Sequence, residues 1–134
     1  MIITVNILLV DDVEYSRQLL RAALIACMDE HKVEIMANFF HSSTGEEILE
    51  QITTHHINLV YLDIELPKIS GLEVLKQIQE AQPNVMVFMV SGESSAANVT
   101  TAIKAGANGF IVKPFNSGRI LDSVQNYLKK KHQL

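Results

Sequence analysis

The sequence predicts an α/β fold: a doubly wound, five-stranded parallel sheet of (βα)5 type in a single domain, residues 1–134. Three observations predict it. Short apolar bursts rich in Val, Ile, Leu, Phe or Met recur along the chain, and segments with apolar residues at helical spacing separate them. The burst VMVFMV at Val85–Val90 has no polar face, which is how a parallel strand covered on both sides reads. Strands alternating with helices through short connections build a parallel sheet with helices on both faces, wound right-handedly.

The elements follow in order. A strand over Thr4–Val10 leads into a helix over Val13–Met28, where Leu19, Leu20, Ala23, Leu24 and Cys27 carry the apolar spacing. A second strand, Val33–Phe39, precedes a helix marked by Ile48, Leu49 and Ile52, with Ser43-Thr44-Gly45-Glu46 as a cap candidate followed by an acid. The third strand, Ile57–Leu62, is followed by a helix through Leu72, Leu75 and Ile78 that ends before Pro83. Val85–Val90 leads to a fourth helix over Ser95–Ala105, and Gly106 stands where that helix needs a left-handed terminator. Gly109–Val112 and a last helix, Ser117–Lys130, close the chain.

Hydrophobic residues make up 48% of the chain and charged residues 19%, a composition that fits a packed globule of one-domain size and excludes disorder. A net charge of -4 argues against a nucleic-acid partner, and Lys129-Lys130-Lys131 is explained by a helix C-terminus, where cations are favoured. Cys27 is the only cysteine, so no intrachain disulfide forms, and it reads as a small core filler. The start MIITVNILLVDD has no basic segment before its apolar run and does not read as a signal peptide. No apolar stretch approaches the ~20 residues that span a bilayer. A cytoplasmic protein with no membrane partner is expected.

In sheets of this kind the ligand site lies outside the carboxyl ends of the strands. At those ends the sequence puts Asp11-Asp12 after the first strand, Asp63 at the end of the third, Ser91-Gly92 after the fourth and Lys113-Pro114 after the fifth. Three carboxylates held close raise one another's pKa values unless a cation neutralises them. Oxygen-only ligands suit Mg²⁺, which binds through one or two carboxylates and a phosphate, and a nearby ammonium and hydroxyl supply donors for phosphoryl oxygens. The constellation reads as a phosphoryl-transfer site with Asp63 as nucleophile.

With these residues the chain resembles the receiver domains of two-component response regulators, CheY-like in fold. The resemblance rests on ILLVDD at the first strand, LVYLDIELPKISGLEVL around Asp63, VSG after the fourth strand and AIKAGANGFIVKPF through the fifth. It implies a flavodoxin-like strand order 2-1-3-4-5 and phosphorylation of Asp63 from a sensor histidine kinase or a histidine phosphotransfer protein. Mg²⁺, with Mn²⁺ as the alternative ion, would be held by Asp12, Asp63 and the backbone carbonyl of Glu65, with Asp11 acting largely through a metal-bound water. Lys113 would pair with the phosphoryl group and Ser91 would donate to it. Gly92 would leave room for the donor, the peptide before Pro114 would be cis, and Phe110 would hold the aromatic switch position. Glu65 and Glu93 would flank the phosphoryl group and set its lifetime, Glu65 hindering the attacking water. Phosphorylation would act on the face of the fourth helix, fifth strand and fifth helix, around Ala96, Val99, Ile103 and Phe110, for partner binding by a monomer or a phosphorylation-dependent homodimer. On this reading the chain is a signalling domain that catalyses its own phosphorylation and dephosphorylation, not an enzyme acting on other substrates, and it carries no output domain.

Each residue also has a plainer explanation. Asp11 or Asp12 would cap the first helix, Ser91 would be an ordinary cap, Lys113 a surface lysine, and Pro67 and Gly71 turn formers. Taken together the explanations for the acids, Ser91 and Lys113 fail, because four strand ends carry the set, whereas Pro67 and Gly71 are adequately explained as turn formers and their agreement with the family adds support rather than chemistry. His55-His56 lies in a helix-to-strand loop, where adjacent residues share no face for a metal. Two other classes remain: an aspartyl-phosphate hydrolase, to which Glu65 two residues after the nucleophile would be suited but Leu66-Pro67 would not, and a phosphorylation-independent docking module.

Overall fold

The computed structural model describes residues 2–92 and 96–131. Five strands, β1 (Ile3–Val10), β2 (Ile35–Ser42), β3 (Leu59–Asp63), β4 (Met86–Ser91) and β5 (Gly109–Val112), alternate with helices α1 (Glu14–Glu30), α2 (Ile48–Thr54), α3 (Gly71–Ala81), α4 (Ala96–Lys104) and α5 (Ser117–Lys131). All pairings are parallel, in the order β2-β1-β3-β4-β5. The expected α/β architecture and its strand order are those of the molecule.

Alternation along the strands divides the core. Val5, Ile7 and Leu9 of β1 pack with Leu20, Leu24 and Cys27 of α1 and Ile120, Val124 and Tyr127 of α5 on one face. Leu8 and Val10 pack with Ile48 and Ile52 of α2, Val74, Leu75 and Ile78 of α3, and Ala102 of α4 on the other. β3 and β4 are buried along their whole length, which is why their sequences carry no polar face. The buried Tyr61 hydroxyl lies 2.7 Å from Ser123 Oγ, which donates to the carbonyl of Ile120, so these buried polar groups are partnered.

The boundaries differ from expectation in an informative way. β2 starts at Ile35, not Val33, because the Val33 N–H closes a turn on the carbonyl of Met28. It runs on to Ser42, paired opposite Val10. β3 and β4 each end on a polar residue, Asp63 opposite Val90 and Ser91 opposite Val112, since ladder pairing continues past the apolar run. α2 does not use the Ser43–Glu46 cap. Thr44 Oγ1 accepts the Glu46 N–H at 2.9 Å in a local turn, and Glu47, left-handed at φ 63°, stands before the helix without a side-chain cap bond. α1 likewise begins after Val13, with neither Asp11 nor Asp12 as its cap residue. Gly106, at φ 104°, is the left-handed residue that ends α4.

Candidate active site at the carboxyl edge of the sheet

The crossover from β1 to β2 on one side and to β3 on the other opens the rim where the predicted residues meet. Asp11 follows β1 directly and its N–H donates to the carbonyl of Ser42, fixing the backbone at the rim. Asp63 and Ser91 are the last residues of β3 and β4, and the Lys113 N–H donates to the carbonyl of Ser91. Hydrogen bonding of the sheet itself therefore sets where these side chains start.

They converge on an ammonium. Lys113 Nζ lies 2.6 Å from Asp11 Oδ2 and 3.1 Å from Asp63 Oδ2. Each acid holds a second donor through its other oxygen: Asp11 Oδ1 accepts the Val13 N–H at 2.9 Å, and Asp63 Oδ1 accepts the Glu65 N–H at 3.1 Å. Asp11 and Asp63 are buried and Asp12 is exposed, so the pocket opens to solvent on the Asp12 side.

Of the buried pair, only Asp63 has a raised carboxyl. Burial pushes the Asp63 carboxyl up to about 6, against Lys113 and the Glu65 amide, and the Asp11 charge adds to the rise. Burial acts upward on Asp11 too, but hydrogen bonds from Lys113, Val13 and Ser16 outweigh it and hold that carboxyl below its usual range. Burial would lower Lys113, yet its bonds to both carboxylates prevail and raise it. The cation that separates the two acids is thus a residue of the chain.

Asp11, Asp12 and Asp63 each offer a carboxylate oxygen, and these oxygens lie within 4.8 Å of one another. Three hard oxygen donors, one facing solvent, suit a small divalent cation that keeps part of its water shell. Among the described residues a Cβ built on Gly92 meets nothing within 4 Å, leaving open space beside Ser91. The Lys113-Pro114 peptide is cis. Phe110 is half-buried and, with Val99, Ile103, Val112 and Arg119, lines a groove of about 500 Å³ between α4 and α5. Glu93 lies outside the described residues, as does the side chain of Ala96.

Several features of the site lie beyond the strand-end pattern. Glu65 reaches sideways: its carboxylate lies 2.8 Å, through both oxygens, from the Ser91 hydroxyl, which donates to it. The sequence placed both residues at the site but carries no signal that they pair. Arg17 Nη1 donates to the backbone carbonyl of Asp11 and so ties α1 to the rim. One turn into α1, it had no strand-end position to mark it. Gly71 is not a turn former, because what it provides is close approach to the backbone of Asp63. Ser70 caps α3 by accepting the Glu73 N–H, in an S-x-x-E spacing that the sequence itself displays. His55 stacks on Phe40 with ring centroids 4.3 Å apart, in keeping with a packing role.

The model of the response regulator receiver domain family matches residues 7–125. The chemotaxis protein CheY of Bacillus subtilis is 31% identical over 123 residues, which cover 92% of this chain and 97% of that protein. Among solved structures, a CheY-like receiver domain protein of Methanospirillum hungatei superposes with a TM-score of 0.73 at 26% identity, covering 97% of this chain and 98% of the other. A BeF3-activated DrrB receiver domain superposes with a TM-score of 0.73 at 27% identity, covering 95% and 99%.

Proposed function

Because the chain belongs to the response regulator receiver domain family, we propose that it is a phosphoacceptor whose Asp63 carboxylate takes a phosphoryl group from a phosphohistidine on a sensor histidine kinase or a histidine phosphotransfer protein. The observation that carries this reading is the Lys113 ammonium held between Asp11 and Asp63. One Asp63 oxygen attacks phosphorus while the bond from phosphorus to the donor imidazole nitrogen breaks. The aspartyl phosphate forms and the imidazole leaves with the bonding pair.

Mg²⁺ or Mn²⁺ would be held by Asp12, Asp63 and the Glu65 carbonyl, with Asp11 behind a bound water, and would offset negative charge on the transferring group. Lys113 follows the charge: once an Asp63 oxygen becomes an ester, the ammonium has a phosphoryl oxygen to bind in its place. Ser91, on the neighbouring strand, donates to another phosphoryl oxygen, and the open space at Gly92 admits the donor. The response travels to α4, β5 and α5, where the groove under Phe110 exposes Ile103 and Val112 to a partner. The chain acts as a signalling domain that catalyses its own phosphorylation and dephosphorylation.

Incubation with Mg²⁺ and acetyl phosphate tests the reading. One hydroxylamine-labile phosphoryl group per chain is expected, lost in Asp63→Asn and on chelation of the metal. Full labelling of Asp63→Asn would overturn the assignment. Steady turnover of a phosphate ester without retained label would indicate a hydrolase, and no label with no beryllofluoride binding a docking module.

A further inference from the structure

We propose that Glu65 is a latch on Ser91, a positioning residue that holds the switch hydroxyl away from the phosphoryl site until Asp63 is modified. The Ser91 side chain is fully buried, and its hydroxyl has a single proton. That proton is directed at the Glu65 carboxylate, 2.8 Å from both oxygens. A phosphoryl oxygen on Asp63 needs the same proton, and one hydroxyl cannot serve both acceptors. Activation therefore requires the bond between Ser91 and Glu65 to break.

The latch is built into the acceptor's own loop. The Glu65 N–H donates to Asp63 Oδ1, so modifying the Asp63 carboxylate acts directly on the backbone that carries the latch. Glu65 is otherwise exposed, and among the described residues its carboxylate is the acceptor offered to Ser91 by a group that can leave into solvent. A hydrogen bond to a charged partner is among the stronger kinds. Holding Ser91 in this way biases the unphosphorylated domain toward its resting state, and the bias is removed by the event that creates the competing acceptor.

The inference rests on the phosphoacceptor reading, and its test separates the two. Wild type, Glu65→Ala and Glu65→Gln are compared in two measurements. Without phosphodonor or metal, amide exchange at Val90, Ser91 and Gly92 is expected to speed up in Glu65→Ala and to stay near wild type in Glu65→Gln, whose amide oxygen still accepts from Ser91. With Mg²⁺, beryllofluoride is expected to bind Glu65→Ala about tenfold more tightly than wild type, with Glu65→Gln much nearer wild type. Equal gains in the two variants would show that loss of negative charge is responsible and would overturn the latch. Unchanged exchange in all three would also overturn it. Failure of beryllofluoride to bind any of them would overturn the phosphoacceptor reading, while the exchange comparison still decides whether Glu65 holds Ser91.

Discussion

A methyl group added to Gly71 would lie 2.0 Å from the backbone carbonyl oxygen of Asp63 and 2.8 Å from its carbonyl carbon. The first turn of α3 is thus pressed against the peptide of Asp63, and the Gly71 N–H donates to the carbonyl of Ile64 to hold it there. Gly71→Ala must push the two apart. An overpacking cost of roughly 1–3 kcal/mol is expected, read as a lower urea midpoint, together with slower labelling of Asp63. Ser70→Ala is the control: it removes the α3 cap for about 1 kcal/mol and should leave labelling nearly unchanged. Equal labelling in wild type and Gly71→Ala would show that the contact does not position Asp63.

Lys113→Ala is expected to have two opposite effects. Removing the ammonium leaves Asp11 and Asp63 facing each other in a buried pocket, which should cost roughly 1–3 kcal/mol without metal. The lower end of such penalties applies because Lys113 is a quarter exposed. Mg²⁺ should bind this variant more tightly, since it no longer competes with a resident cation, and should restore much of the lost stability. Beryllofluoride should then fail to change amide exchange in α4 and β5. Calorimetric titration showing weaker Mg²⁺ binding than in wild type would mean that the lysine assists the metal rather than standing in for it.

The strand-end logic made the site legible because in a parallel sheet a side chain's place on the rim follows from where its apolar run stops. Asp11, Asp12, Asp63, Ser91 and Lys113 could all be found that way, and the helix-ending Gly106 was readable from its spacing alone. What the sequence concealed depends on packing between segments far apart in the chain. Gly71 looks like any turn glycine until α3 is docked on β3. Glu65 and Ser91 are 26 residues apart, and only the pairing of Asp63 with Val90 brings their side chains together. The α2 start differs from the expected cap because Thr44 satisfies a local turn in preference to a helix end.

The pH dependence of stability should carry the mark of Asp63. Its folded-state pKa, about 6, lies above the ordinary value of 3.8, so between about pH 4 and pH 6 the folded protein binds a proton that the unfolded chain has lost. Stability from this group is present below that window and is lost as pH rises through it. Asp11, held below its usual range, works in the other direction and only at lower pH. His41, whose pKa burial depresses, with Arg17 and Arg21 adding to the effect, opposes Asp63 near pH 6, because acidification must charge it in the fold. The informative quantity is therefore the difference between wild type and Asp63→Asn, in which His41 cancels. Asp63→Asn should gain on wild type as pH rises from 4 to 7, measured by urea unfolding without metal. A difference that does not change with pH would contradict the raised carboxyl.

The lifetime of the phosphoryl group on the proposed acceptor is the property on which Glu65 is expected to act most directly. Ser91 donates to the Glu65 carboxylate; in the proposed phosphorylated state, with Ser91 turned to the phosphoryl oxygens, that carboxylate would be left beside a group already carrying negative charge. A carboxylate there can accept a hydrogen bond but cannot donate one, and it disfavours the further charge that builds as water attacks. Glu65→Asn supplies an amide that can both donate and accept, and its loss of charge removes the repulsion. Dephosphorylation is therefore expected to be several-fold faster in Glu65→Asn than in wild type, with about 1 kcal/mol off the barrier corresponding to roughly fivefold. The measurement is decay of the phosphoryl label after removal of the donor, at fixed Mg²⁺, with Glu93→Ala followed in parallel because that acid is also expected to flank the group. Slower decay in Glu65→Asn would show that the glutamate orders the attacking water. In that case its two states would have opposite uses, securing Ser91 before phosphorylation and promoting hydrolysis after it.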